Sequence, residues 1–343
     1  MIAENAIKRY SWVMTDIPTK ALRGAEIPAL LVSDLTNIRY LTNVEVSMGL
    51  LLITARSVRL FVDSRYIEAA QKNSYRNVTV IDLDRLPSVL KRVRRCGYEE
   101  NHVTVARFSK WKRKFKNTKF IRTSGIIEEF RRQKDARELR MFKKAQEITR
   151  QMLKRVPRVL KSAITEQELA WKLETWAREL GAEGLSFEPV VAFGTHTSCP
   201  HHHPTDRKLR KGNLVQIDVG ARYGGYCADQ SEVFFTAAPT KKQQLVLSAL
   251  KEAQTAAMDA VRKGVTTNEL DRIACEILNK YGLEKYFTHS LGHGVGLEIH
   301  EGVSLNQSQP SKELLKGEIV TIEPGVYFPG KWGMRLEEEV IVK

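Results

Sequence analysis

The chain has 343 residues, of which 42% are apolar and 28% charged, and a formal net charge of +15. That length exceeds what one compact core usually holds, so two domains are expected, and the composition is that of an ordinary soluble globular protein. No stretch of about 18 apolar residues exists, which argues against a membrane span.

The sequence opens with MIAENAIKRYSWVMTD. It lacks an apolar core ahead of a small-residue cleavage site, so a secretory signal is not expected. The four cysteines, Cys96, Cys199, Cys227 and Cys275, are scattered with no CxxC pair. That fits a reducing, cytoplasmic setting and not a cysteine-held zinc. Residues 164–343 carry 20 basic and 24 acidic side chains, which leaves 35 and 16 in residues 1–163. Basic runs at Lys91–Arg95, Lys110–Lys119 and Arg131–Lys134 account for much of this excess. No recognised nucleic-acid motif accompanies them, so a solvated basic face is expected and nucleic acid is not an expected partner.

Ala29–Val32 reads as a buried strand, followed by a turn at Ser33-Asp34. Gly49–Thr54 and Val58–Val62 read as paired strands. Asp63 is placed to cap a helix carrying Tyr66, Ile67, Ala69 and Ala70. Val78–Ile81 reads as a strand, Leu86–Val93 as a helix and Val103–Ala106 as a further strand. Together they predict an α/β N-terminal domain over residues 1–125. Residues 126–161 form a charged helical connection, interrupted near Gln133-Lys134-Asp135.

A second, α+β domain is expected over residues 162–343. Thr165 and Glu168 have capping-box spacing and open a helix through Leu180. Val190–Phe193 is a strand, and Leu214–Val219 and Cys227–Phe235 read as strands about the Gly220–Tyr226 turn. Helices are predicted over Lys241–Arg262 and Thr267–Tyr281, the second ended by Gly282. Strands over Leu291–Ile299, Glu318–Ile322 and Arg335–Val342 follow. The pattern reads as two halves of similar content, without a repeat strong enough to prove duplication.

The chemistry lies in this second domain. Asp218 stands between Ile217 and Val219 in an apolar strand, where an unpaired carboxylate is costly. Asp229 follows a Gly-rich turn. Two carboxylates on adjacent strands repel unless a cation lies between them, although each alone also reads as a turn or cap residue. His289, His293 and His300 fall within a glycine-rich dozen residues. Glu323 ends an apolar run before Pro324-Gly325, and Arg335 and Glu337 alternate along a strand. His196, His201, His202 and His203 lie in a polar loop. Asp218, Asp229, His293, Glu323 and Glu337 are an oxygen-rich ligand set, poor for a structural zinc and suited to two adjacent divalent cations.

In order, PHHHP, D-x10-D, HSLGHGVGLEIHE, IEPG and GMRLE resemble the motifs of the pita-bread metallopeptidases, the family of aminopeptidase P, prolidase, methionine aminopeptidase and creatinase. The resemblance covers the whole second domain. LVSDLTNIRYLTN and the Leu60–Gln71 segment resemble the creatinase/prolidase-type N-terminal domain, which points to the Xaa-Pro branch. The resemblance implies a pita-bread fold and a metal-dependent exopeptidase that hydrolyses the bond before proline in small peptides with proline in the second position. It implies two divalent ions per subunit, with manganese favoured and cobalt or zinc as alternatives, held by Asp218, Asp229, His293, Glu323 and Glu337. A hydroxide bridging the ions would attack the carbonyl. Glu323 would take a proton, His201 would serve the leaving nitrogen, and His289 and His300 would line the substrate site. Arg335 would pair with a substrate carboxylate or anchor Glu337. A homodimer is a family expectation.

Ser231-Glu232-Val233 departs from the family's Thr-Arg-Thr pattern, His196 stands where asparagine is frequent, and a proline after Glu301 is missing. A non-catalytic binding protein using the basic N-terminal domain is the alternative, and the five intact ligand positions argue against it.

Overall fold

Four consecutive apolar residues, Ala29–Val32, form strand β1, in which every side chain is buried. An uninterrupted apolar run is what a strand covered on both faces requires. In the computed structural model, which describes residues 20–160 and 163–343, β1 lies inside a six-stranded sheet. Its partners are β2 (Leu50–Thr54), β3 (Ser57–Val62), β4 (Val78–Asp82), β5 (Arg95–Glu99) and β6 (Lys119–Thr123), in the order β4-β3-β2-β1-β5-β6. β2 and β3 pair antiparallel as the sequence predicts, with Thr54 opposite Ser57. The β1–β5, β5–β6 and β3–β4 pairings are parallel. The segment read against a secretory signal, and Ser162, lie outside the described residues.

Several local readings need correction. Ser33-Asp34 is the entry to a helix, α1 (Leu35–Thr42), because Asp34 Oδ1 accepts from the Thr36 N–H. Asp63 does not cap α2 (Ile67–Asn73), whose cap position is Tyr66. It accepts instead from the Arg65 N–H and guanidinium. The regular helix within Leu86–Val93 is confined to α3 (Leu86–Leu90). Val103–Ala106 is not a strand. Thr104 Oγ1 accepts from the Arg107 N–H and starts α4 (Val105–Lys114), on which Val105 is 83% exposed. A capping hydroxyl satisfies an otherwise orphaned donor of the first turn, and here it overrides the β preference of valine.

α5 (Ile126–Arg132) and α6 (Ala136–Val159) are separated by the predicted break. Asp135 restarts the helix through a capping box with Glu138. The chain divides into two compact units between Arg131 and Arg132.

In the second unit, the two-residue strand β7 (Gly184–Leu185) follows α7 (Glu166–Glu179), and α6 and α7 enclose one core with β8 (Val190–Phe193) and β9 (Leu214–Val219), through Ile148, Met152, Leu169, Leu173, Val191 and Ile217. β9 is the middle strand of an antiparallel sheet, between β8 and β12 (Gln230–Phe235). A short hairpin, β10 (Ala221–Tyr223) with β11 (Tyr226–Cys227), interrupts the strand read over Cys227–Phe235. α8 (Lys241–Ala260) and α9 (Thr267–Lys280) cover a second core containing Leu250, Leu270, Val320, Ile322 and Val326. The late strands are shorter than predicted. Only Gly292–His293 is extended within Leu291–Ile299, and Arg335–Val342 breaks at Leu336-Glu337. Among the described residues no helix is long and apolar enough to cross a membrane.

Candidate metal centre

Each acidic candidate stands at a strand end or within a strand whose main chain fixes its position. Asp218 on β9 faces Ser231 across β12 and Val190 across β8. Asp229 immediately precedes β12, two residues from that register, so the two carboxylates are offset and not directly opposite. Its N–H donates to Glu339 Oε1 at 2.9 Å. A Cβ on Gly220 would stand 1.6 Å from the Ala228 carbonyl oxygen, so only glycine lets the chain return this closely.

Glu323 follows the strand Ile319–Ile322, and its N–H donates to the Leu291 carbonyl at 2.7 Å. His293 lies beside that strand, its N–H donating to Thr321 Oγ1. Gly292 makes the contact possible, since a Cβ there would stand 2.0 Å from the Thr321 carbonyl oxygen. Glu337 sits at the break between Trp332–Arg335 and Glu338–Ile341, where its N–H donates to the Ser231 carbonyl. A tight return through Gly296 and Glu301 places His300 beside His293, with ring centroids 4.1 Å apart.

The result is a cavity of about 720 Å³ lined by His201, Asp218, Asp229, His289, His293, His300, Glu323, Arg335 and Glu337. Asp229, His293 and Glu337 each offer a ligand atom within 4.8 Å of the others. His293 Nε2 lies 3.5 Å from Asp229 and 3.7 Å from Glu323. Its Nδ1 approaches the Gly294 carbonyl at 3.2 Å. With the proton on Nδ1, the Nε2 lone pair points at the carboxylates, the arrangement a metal-binding imidazole needs.

The carboxylates are short of partners. Asp218 Oδ1, Asp229 Oδ1 and Glu337 Oε1 are buried with no hydrogen bond. Burial, then the charge of neighbouring acids, holds Asp229 and Glu337 well above the usual carboxylate range. Burial above all raises Glu323 to about 8. Desolvated, mutually repelling acids with orphaned oxygens fit divalent cations, which remove both penalties together.

Arg335 is a buried cation beside them. Its guanidinium donates to Asp218 Oδ2, to Tyr327 Oη at 2.6 Å, to Ser231 Oγ at 2.9 Å and to the Pro200 carbonyl at 3.3 Å. It therefore orients Asp218, and the Ser231 hydroxyl helps to hold the guanidinium in place. Tyr327 is a support that the sequence motifs do not single out. It accepts from Arg335, and its hydroxyl lies 3.1 Å from His289 Nε2. His289 Nδ1 is 2.8 Å from the Ser290 carbonyl. Burial, then Arg335, lowers His289 to about 4, so this ring is neutral, with its proton on Nδ1. Glu339 and Gln216, which bonds the Arg335 backbone through both ends of its amide, were also missed. Neither side chain belongs to a motif, and only the fold reveals them.

Buried carboxylates and an imidazole converging on a cavity describe a metal-dependent hydrolase. Residues 140–343 match the model of metallopeptidase family M24, and residues 19–133 that of the creatinase/prolidase N-terminal domain. The chain belongs to metallopeptidase family M24, with the pita-bread fold. It is 31% identical over 320 residues to an Xaa-Pro dipeptidase of Pyrococcus horikoshii, covering 92% of this chain and 90% of that one. Among solved structures, an Xaa-Pro dipeptidase from Bacillus anthracis superposes with a TM-score of 0.92 at 30% identity, covering 97% and 95% of the two chains. An X-Pro aminopeptidase from Thermotoga maritima gives 0.86 at 32% identity, covering 94% and 95%.

Proposed function

We propose that this protein hydrolyses the peptide bond preceding proline and releases the N-terminal residue of Xaa-Pro peptides. The observation that carries the reading is the set of orphaned buried carboxylate oxygens beside His293, facing a cavity large enough for a small peptide. The similarity to Xaa-Pro peptidases along both units supports the substrate class.

Asp218, Asp229, His293, Glu323 and Glu337 would hold two divalent cations, and their oxygen-rich chemistry favours manganese over zinc. Bound there, such ions would polarise a carbonyl and make water a better nucleophile. Glu323 would accept the attacking water's proton. His201 and His300 line the cavity, where His201 would bond the substrate and help carry a proton to the leaving prolyl nitrogen, and His300 would steady the substrate carbonyl. Proline explains the need for a dedicated enzyme, because its tertiary amide offers no N–H to grip. The catalytic machinery then lies within residues 162–343, with residues 1–125 as the prolidase-type domain. A cytoplasmic homodimer completes the reading.

The test is hydrolysis of Xaa-Pro dipeptides against Xaa-Pro-Yaa tripeptides, after metal removal and restoration with Mn, Co or Zn. Dipeptides alone identify a dipeptidase, and cleavage of both identifies an aminopeptidase. No cleavage of either with any metal would sink the reading.

A further inference from the structure

Glu166, the first residue of α7, has no accessible surface and no role in the chemistry above. Its carboxylate nonetheless gathers five groups from the segment that carries His201. The Phe193 N–H donates at 2.8 Å, the Thr205 N–H at 3.0 Å and the Thr205 hydroxyl at 2.7 Å. His196 Nδ1 lies 2.9 and 3.1 Å from its two oxygens, and His202 Nε2 lies 2.9 Å away. The two rings lean on one another with centroids 4.4 Å apart.

Since the carboxylate only accepts, each ring must present an N–H to it. That fixes the proton on Nδ1 of His196 and on Nε2 of His202. Burial opposes a charge on Glu166, but the bonds from Thr205, His202 and Phe193 prevail and hold its carboxyl below the usual range. On the other side of His201, the Pro200 carbonyl is held by Arg335. His201 is thus the loop residue between two anchors, and it faces the same cavity as Asp218, His289 and His300.

We propose that Glu166, through His196 and His202, is a positioning residue for the reaction, setting where the His201 imidazole stands over the substrate. The inference rests on the role given to His201 in the proposed function. His196 fits this task in place of asparagine, since either side chain puts one N–H on the carboxylate. It also gives His202, which the sequence left without a role, its reason.

A kinetic cycle with Ala-Pro and saturating Mn²⁺ tests it. Glu166→Gln should lower kcat roughly 10²-fold, as expected for a misplaced catalytic group, with KM little changed. In a His201→Ala background the same change should cost nothing further, because its target is gone. His196→Asn should recover most of what His196→Ala loses. A second arm needs no turnover and no metal. In ¹⁵N-histidine-labelled protein, with eight histidines to resolve, Glu166→Gln should shift the His201 ring resonances. Glu174→Gln, at an exposed site on the same helix, should leave them in place. Additive losses in the cycle, or unmoved His201 resonances, overturn the proposal. A wild type silent on every Xaa-Pro peptide overturns the proposed activity instead, and the resonance arm still decides this one.

Discussion

Glu323 sits 3.7 Å from His293 Nε2 and 3.9 Å from His289 Nδ1. Without a cation beside it, burial raises its carboxyl to about 8, and a divalent cation there would favour its ionised, proton-accepting form. Replacing it by glutamine keeps the volume and removes the proton acceptor. Glu323→Gln should lower kcat by about 10³-fold or more while the variant stays folded; steady-state kinetics beside circular dichroism decide this, and an unimpaired variant refutes the role. Asp229 carries the opposite lesson, because its charge is a liability without a cation. In metal-free protein at pH 8, Asp229→Asn should raise stability by about 1 kcal/mol by deleting a crowded buried charge. With saturating Mn²⁺ the order should reverse, since the ligand is lost and with it the stabilisation by binding. Melts with and without metal read both signs, and equal effects in the two conditions would count against Asp229 as a ligand.

At the scale of elements, Glu138 joins two functions in α6. Its Oε2 accepts from the Asp135 N–H in the capping box, and its Oε1 accepts from the Tyr226 hydroxyl at 2.7 Å. Burial, set against these bonds, raises it from 4.5 to about 7. A carboxyl raised by folding binds more protons in the native state than in the unfolded one. Its contribution is therefore fully present below about pH 4.5 and is lost as pH rises through about 7. The stability of wild type relative to Glu138→Gln should fall across that window, measured by urea unfolding at fixed pH values; a flat difference contradicts the shift. The same helix shows what a sequence makes legible. The break before it near Gln133-Lys134-Asp135, the Thr165–Glu168 box and the apolar runs of β1, β2, β8 and β9 carry local signals strong enough to read. β5 and β6 were not read, because arginines and lysines punctuate them: Arg95 and Lys119 are exposed at their starts. Val103–Ala106 misled because β-branched residues suggested a strand where one hydroxyl, on Thr104, starts a helix. At the site, the acids and histidines were legible as residue types. Their supports, Tyr327, Gln216, Glu339 and Glu166, were not, since each acts from another strand or helix that only the fold brings near.

Apolar cores lie on the N-terminal sheet and at several places within the second unit. The positive charge belongs to the first half of the chain, and the acidic centre to the second. Two compact units, one of which carries the proposed ligands, should unfold as two calorimetric transitions. Divalent cations should raise the transition of residues 132–343 and leave the other where it was. A single peak that moves as one upon adding Mn²⁺ would show the units to be one cooperative body.

At Gly292 and Thr321 two main chains touch where a side chain would otherwise intervene. His293 and the strand that leads into Glu323 are both hung from that contact. Their spacing is consequently set by peptide dimensions, which are the same in every protein, and not by how well the apolar residues behind them fill space. Drift in those apolar residues can then wear down or strengthen the enzyme over generations without detuning its chemistry. Heat tolerance and catalytic geometry are free to evolve on separate schedules.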